Sequence, residues 1–145
     1  MTRALGIAAV AASILGLAPS ANAATAIPAV ASADSSVCQL PTYGGRYYCG
    51  YGSRSWTFAN GTEQVFVIGT NFAVWTRWKS NGNLSSWTSL GGEIRHTYSY
   101  DDFKRYSCGG NPWLNIVGLD NQWWKRARGS DGTWSAWGHG TQVAC

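Results

Sequence analysis

Two segments of this chain repeat one pattern. Residues 65–92 run VFVIGTNFAVWTRWKSNGNLSSWTSLGG, and residues 114–140 run LNIVGLDNQWWKRARGSDGTWSAWGHG. Gly69 falls on Gly118, Asn71 on Asp120, Trp75 on Trp124 and Arg77 on Arg126, each 49 positions on. One inserted residue later, Ser85 meets Ser135 and Trp87 meets Trp137, 50 positions on. A chain that repeats at this length builds its fold from copies of one supersecondary unit. Whatever the unit does is then done more than once.

The unit is made of strands. No window sustains apolar positions at helical spacing, and Gly is frequent throughout. Short β-rich runs alternate with turn residues, the pattern of an all-β domain. Strands are predicted over residues 64–68, 73–79 and 86–90, and again over 114–117, 122–128 and 134–137. The connection Ser80-Asn81-Gly82-Asn83 is a hairpin turn in which Asn-Gly supplies positive φ. A repeat of this length matches one four-stranded propeller blade, about 40–50 residues. The expected fold is therefore a partial β-propeller of about two four-stranded blade repeats. Residues 54–61 (RSWTFANG) echo residues 85–92 (SSWTSLGG) 31 positions on, and are expected to close a preceding, incomplete blade. Trp75 and Trp78 have opposite strand parity, as do Trp123 and Trp124. A strand apolar on both faces is expected to pack on both, which favours stacked blades. Trp78 and Trp123 are accordingly expected to be packing residues, and Trp56, Trp113 and Trp134 core or rim. A propeller ring needs about four to eight blades. Two blades do not close one, so association into a homo-oligomeric ring is one way to complete it. An open blade pair held by disulfides, or another small β-sandwich or barrel, is the alternative.

The flanks and the cysteines bound the setting. Residues 1–23 look like a secretory signal peptide: Arg3, then an apolar run over 4–18 too short to span a membrane at about 20 residues, then Ala21-Asn22-Ala23 as the small-x-small cleavage site. Cleavage is expected after Ala23, with Ala33 a later candidate. Residues 24–37 are small and aperiodic, the composition of a flexible leader. The β-repeat domain is then 38–145, secreted, with no membrane insertion. Four cysteines in a small exported domain imply two disulfides out of three possible pairings. The sequence-local pairing is Cys38–Cys49 with Cys108–Cys145. The cysteines form no close pair and only His96 and His139 could join them, so neither a metal site nor a cofactor is expected. The net charge of +4 falls to +3 without Arg3. That is too weak and too dispersed for nucleic-acid binding, though it allows attraction to anionic wall polymers.

The stretches VFVIGTN (65–71), VWTRW (74–78) and SWTSLGG (86–92) are similar to the repeats of PLL-like β-propeller lectins, and more loosely to tectonin-type and fucose-binding propeller lectins. The likeness covers residues 54–140. It departs where the usual Asp-Gly turn is Asn71-Phe72 in one copy and Asp120-Asn121 in the other, and where the second copy ends Gly138-His139-Gly140. Full-length members carry several blades in one chain, and some fucose-binding propellers build a ring from two-blade chains. The resemblance implies a glycan ligand held in clefts between blades.

The residues suit that chemistry. Sugars stack their C–H faces on aromatic rings and accept planar hydrogen bonds, and Trp joins a broad apolar face to a polar tip. Trp75, Arg77 and Trp87, with Trp124, Arg126 and Trp137, supply these ingredients twice. Trp and Arg two apart on one strand share a face. The structural alternative is that all six recur because they hold blades together, with Arg over Trp. An enzyme is not expected. Glycoside hydrolysis generally needs two carboxylates at fixed separation, and Asn71 stands where Asp120 does in the other copy. Asp101-Asp102 is expected in an exposed inter-blade loop. His96 and His139 do not align, and no Ser-His-Asp or Cys-His grouping is recognisable. The expected function is secreted, lectin-like recognition of cell-surface or cell-wall glycans. The alternative is a disulfide-bonded structural or protein-interaction scaffold, or an inhibitor, without sugar binding.

Overall fold

The computed structural model describes residues 34–140; the expected signal peptide and most of the leader lie outside the described residues. The fold is all-β. Strands β1 (Val37–Leu40) and β2 (Gly44–Tyr48) form a hairpin. Strands β3 (Ser53–Thr57), β4 (Glu63–Ile68), β5 (Val74–Ser80), β6 (Asn83–Leu84) and β7 (Thr88–Gly91) form the first antiparallel sheet. Strands β8 (Phe103–Cys108), β9 (Asn111–Val117), β10 (Trp123–Ala127) and β11 (Gly138–His139) form the second. Neither sheet closes into a ring.

Each sheet is a meander whose last strand turns back on β5 or β10. In the first sheet that return is broken. β6 pairs with residues 79–80 and β7 with residues 74–76, so Ser85, Ser86 and Trp87 leave the ladder between them. The turn into β6 has Asn81 at φ 49° and Gly82 at φ 80°, the positive pair expected of Asn-Gly.

Two expectations are corrected. Residues 54–61 do not close a preceding blade: β3 pairs along its length with β4, Arg54 opposite Phe66 and Trp56 opposite Gln64, and so belongs to the first sheet. The local Trp-Thr echo reflects two strands of similar composition rather than equivalent positions. Asp34 and Ser36 are not loose leader either. Gly50 and Cys49 donate backbone hydrogen bonds to their carbonyls at 3.1 and 2.9 Å, and Val37 opens β1.

The core lies between the two sheets. Phe66, Ile68, Val74 and Leu90 from the first meet Phe103, Leu114 and Ile116 from the second, with Tyr51 and Ile94 between them. Trp134 closes one side edge-on to Phe66, ring centroids 5.7 Å apart. The segment joining the sheets is fixed by charge. Asp102 is buried and receives Arg95 Nε at 2.7 Å and Nη2 at 2.6 Å, with Thr97 Oγ1 donating to the same carboxylate. Arg95 also reaches Asn121 Oδ1 at 3.2 Å, and its carbonyl accepts the Tyr51 hydroxyl at 2.6 Å. The expected exposed Asp101-Asp102 loop thus holds one exposed carboxylate and one buried one. The difference follows from the 3-10 turn at Tyr100–Asp102, which points the two side chains apart.

Cys38 and Cys49 form a disulfide across the β1–β2 hairpin. Cys145, the expected partner of Cys108, lies outside the described residues. Removing the bridge with Cys38→Ser and Cys49→Ser is expected to cost about 2–3 kcal/mol, the chain-entropy value for so short a loop. Denaturant unfolding of the double variant measures it. A loss under about 0.5 kcal/mol would mean the hairpin is held by its packing alone.

Candidate functional site

The sheets meet their neighbours through a repeated joint. Arg126 Nη1 donates to the Leu90 carbonyl across the gap between the sheets. Trp137 lies over Gly92, and its indole N–H donates to the same Leu90 carbonyl at 2.8 Å. Ile94 bridges to Gly118. The same joint occurs one unit earlier. Arg77 Nη1 donates to the Tyr43 carbonyl at 2.5 Å, Trp87 lies over Gly45, and Tyr47 bridges to Gly69. Tyr43-Gly44-Gly45 is therefore the counterpart of Leu90-Gly91-Gly92, 47 positions on (43 to 90, 45 to 92). The fragment of a preceding unit is the β1–β2 hairpin. Gly is required at these joints. Gly45 and Gly92 have φ of 80° and 72°, and a Cβ would stand 2.7 Å from the Trp87 ring and 2.9 Å from the Trp137 ring.

Each joint encloses a cleft, and the two clefts correspond residue for residue. The first, about 230 Å³, is lined by Gly45, Arg46, Val67, Gly69, Thr70, Asn71, Trp75 and Trp87. The second, about 360 Å³, is lined by Gly92, Glu93, Ile116, Gly118, Leu119, Asp120, Trp124 and Trp137. The inner wall is built the same way in both. Trp75 Nε1 donates to Asn71 Oδ1 at 3.0 Å, and Trp124 Nε1 to Asp120 Oδ1 at 3.1 Å. Those acceptors sit in matching turns closed from Phe72 N to Gly69 O and from Asn121 N to Gly118 O. Phe72 and Asn121 hold the positive φ, 61° and 59°, that Gly would usually supply. Phe72 is kept there by its ring, stacked on His96 at 3.6 Å and against Tyr48 at 4.7 Å.

The four repeated Trp residues thus come together in pairs, Trp75 with Trp87 and Trp124 with Trp137. Arg77 and Arg126 do not line either cleft. Arg77 donates Nε to Ser85 O at 2.6 Å as well as Nη1 to Tyr43 O, and burial pushes the Arg126 guanidinium below its ordinary pKa. Both act as struts to backbone carbonyls across the joint. Trp78 and Trp123, expected to pack, are 41% and 43% exposed. Both sit within paired strands, Trp78 opposite Gln64 of β4 and Trp123 opposite Val117 of β9, so it is the face and not the edge that is left open. Sequence reasoning missed Arg46 and Glu93. They occupy the same place in the two joints but carry opposite charge, so matching the copies does not select them.

Asp120 is held below the ordinary carboxylate range, first by the Gln122 backbone N–H, against a weaker opposing effect of burial, and then by the Trp124 indole and the charge of His139. Among the described residues no three His, Cys, Asp or Glu side chains gather as a metal would require. No protein-family model matches the chain, and no curated protein matches it.

One detail separates the joints. Trp87 Nε1 is buried without a hydrogen-bond acceptor, whereas Trp137 Nε1 is bonded. Both Trp87→Phe and Trp137→Phe lose ring volume, but only the second also loses a hydrogen bond, so Trp137→Phe should cost about 1 kcal/mol more than Trp87→Phe. Thermal unfolding of the two variants side by side checks the order. Equal losses would mean that ring volume, not the donor, decides.

Proposed function

We propose that this is a secreted, lectin-like carbohydrate-binding protein that takes cell-surface or cell-wall glycans in its two Trp-lined clefts. The observation that carries this reading is the one-to-one correspondence of the clefts. Packing alone requires the joint to recur. It does not require that the recurring joint leave an open groove bounded by two indoles, a hydrogen-bonding turn residue and a charged side chain. Such a groove has an apolar floor for a sugar's C–H face and polar groups at its rim for hydroxyls. Two copies on one chain raise avidity for a repeating polymer without any new contact. The disulfide suits an oxidising compartment. On this reading the sheets are two blades of a partial propeller and the β1–β2 hairpin is the remnant of a third. Further chains would complete a ring, and the native mass tests that step.

The binding residues proposed are Trp75, Trp87, Trp124 and Trp137, with Arg46, Asn71, Glu93 and Asp120 at the rims. Arg77 and Arg126 hold the joints. A glycan array on the purified protein is the direct test. Hits are expected to weaken at least tenfold in Asn71→Ala and Asp120→Ala together, with the fold retained. An array without hits would favour the scaffold reading, for which exposed Trp78 and Trp123 offer a protein-binding surface.

A further inference from the structure

The two clefts share one frame but not one charge. The first carries Arg46 and the amide of Asn71; the second carries the carboxylates of Glu93 and Asp120 in the same two places. Thr70 in the first becomes Leu119 in the second. We propose that the second cleft selects a ligand bearing an ammonium group and that the first rejects it. This rests on the carbohydrate reading and names the class of sugar, an amino sugar with its amine free.

The chemistry of the walls supports the assignment. Trp124 and Trp137 offer indole faces, whose quadrupole attracts a cation. Ile116, fully buried, forms the apolar floor, and Leu119 stands exposed at the rim with the two carboxylates. Glu93 and Asp120 supply two negative charges at the rim, and Asp120 ionises readily because its acceptor oxygens are already hydrogen-bonded. Among the described residues, the ionisable groups against these carboxylates are imidazoles: His96 Nε2 is 3.4 Å from Glu93 Oε1, and His139 Nε2 is 3.9 Å from Asp120 Oδ2. Arg95 is committed to Asp102 and Asn121. In the first cleft the same indole pair stands beside a guanidinium, so an ammonium group would meet a like charge in the place where the second cleft offers an opposite one.

The chain contains its own matched controls. Glu93→Arg with Asp120→Asn gives the second cleft the two polar side chains that distinguish the first by charge. Arg46→Glu with Asn71→Asp does the reverse. Both exchanges are compatible with the fold, because Asn71 already accepts the Trp75 indole N–H as Asp120 accepts that of Trp124. The experiment titrates a glucosamine tetramer, its fully N-acetylated counterpart and tetramethylammonium chloride into the purified protein at pH 7, following the four indole N–H resonances by NMR. The glucosamine tetramer is expected to shift Trp124 and Trp137 at concentrations at least fivefold below those that shift Trp75 and Trp87. The Glu93→Arg/Asp120→Asn variant should lose that preference, and Arg46→Glu/Asn71→Asp should confer it on Trp75 and Trp87. Equal responses to the free and N-acetylated tetramers would overturn charge selection while leaving carbohydrate binding intact. If neither saccharide acts but tetramethylammonium shifts Trp124 and Trp137, and this is lost in the Glu93→Arg/Asp120→Asn variant, the cation site stands and the carbohydrate reading falls. Silence toward all three probes would overturn both.

Discussion

Replacing Arg95 by alanine is expected to lower folding stability by about 3–5 kcal/mol, the cost of leaving a buried charge without its partner. Asp102 is 3% exposed, and Arg95 supplies two of the three side-chain hydrogen bonds to its carboxylate. Asp102→Asn should cost less, because Arg95 is half-exposed and keeps access to solvent. The pair also sets a pH dependence. Burial acts to raise the Asp102 pKa, but the hydrogen bonds from Arg95 and Thr97 and the charges of Arg95 and Lys104 outweigh it, holding the carboxyl below its ordinary 3.8. A depressed native pKa means that the unfolded state takes up protons first. The stabilisation is therefore full above the unfolded value and lost as pH falls through the native one. Denaturant unfolding as a function of pH should show Asp102→Asn losing its deficit relative to the parent in strong acid. A deficit that stays constant down to pH 2 would show that the carboxylate's charge is not what stabilises this segment.

Trp137→Ala is the second large effect, about 3 kcal/mol. That is the low end for an aromatic truncated in a core, because the ring is only half-buried. It lies on Gly92, lines the second cleft beside Ile116, and donates to the Leu90 carbonyl that Arg126 also uses. For a small domain of about 5–15 kcal/mol this is a substantial fraction of the whole. The same variant should keep the first cleft, so a neutral glycan that on the proposed reading fills both clefts should bind with half the stoichiometry, the remaining site unchanged. Loss of both sites together would mean that the joints are coupled through the first sheet rather than independent.

The sequence made the all-β class and the central strands β4, β5, β9 and β10 legible because alternation and turn residues act locally. The return expected over 134–137 is only a bridge at Trp134, with β11 at Gly138–His139, and β1, β2 and β8 were not foreseen. Asn81-Gly82 specified its hairpin without help from the rest of the chain. The repeated Trp residues were legible as pairs of equivalents, and the structure brings them together in twos. What they recur for was less visible. Arg77 and Trp75 share a strand face, but parity does not say whether a guanidinium at that face meets solvent or the carbonyl of Tyr43, 34 residues earlier. The Tyr43-Gly44-Gly45 counterpart is not legible in the sequence because only three residues carry the match. Trp78 and Trp123 show the limit of reasoning by strand parity. Parity says which face of the sheet a side chain takes, not whether anything packs against that face. Arg46 and Glu93 were hidden for the opposite reason: they differ where the copies otherwise agree.

The matching Gly-Gly connectors make residues 46–92 an interchangeable cassette. It begins just after one connector and ends on the next. A second copy spliced behind Gly92 would offer its own Trp87 and Arg77 to the Leu90-Gly91-Gly92 already there, and would end on a fresh connector for the sheet that follows. In the added copy Arg46, Tyr47 and Tyr48 would lack their pairing with β1, Cys49 and Gly50 their bonds to residues 34–38, and at the Cys49 position the later unit carries His96. Each added cassette would bring one more groove, so the number of grooves on a chain could grow by duplication with adaptation confined to the segment that here pairs with β1.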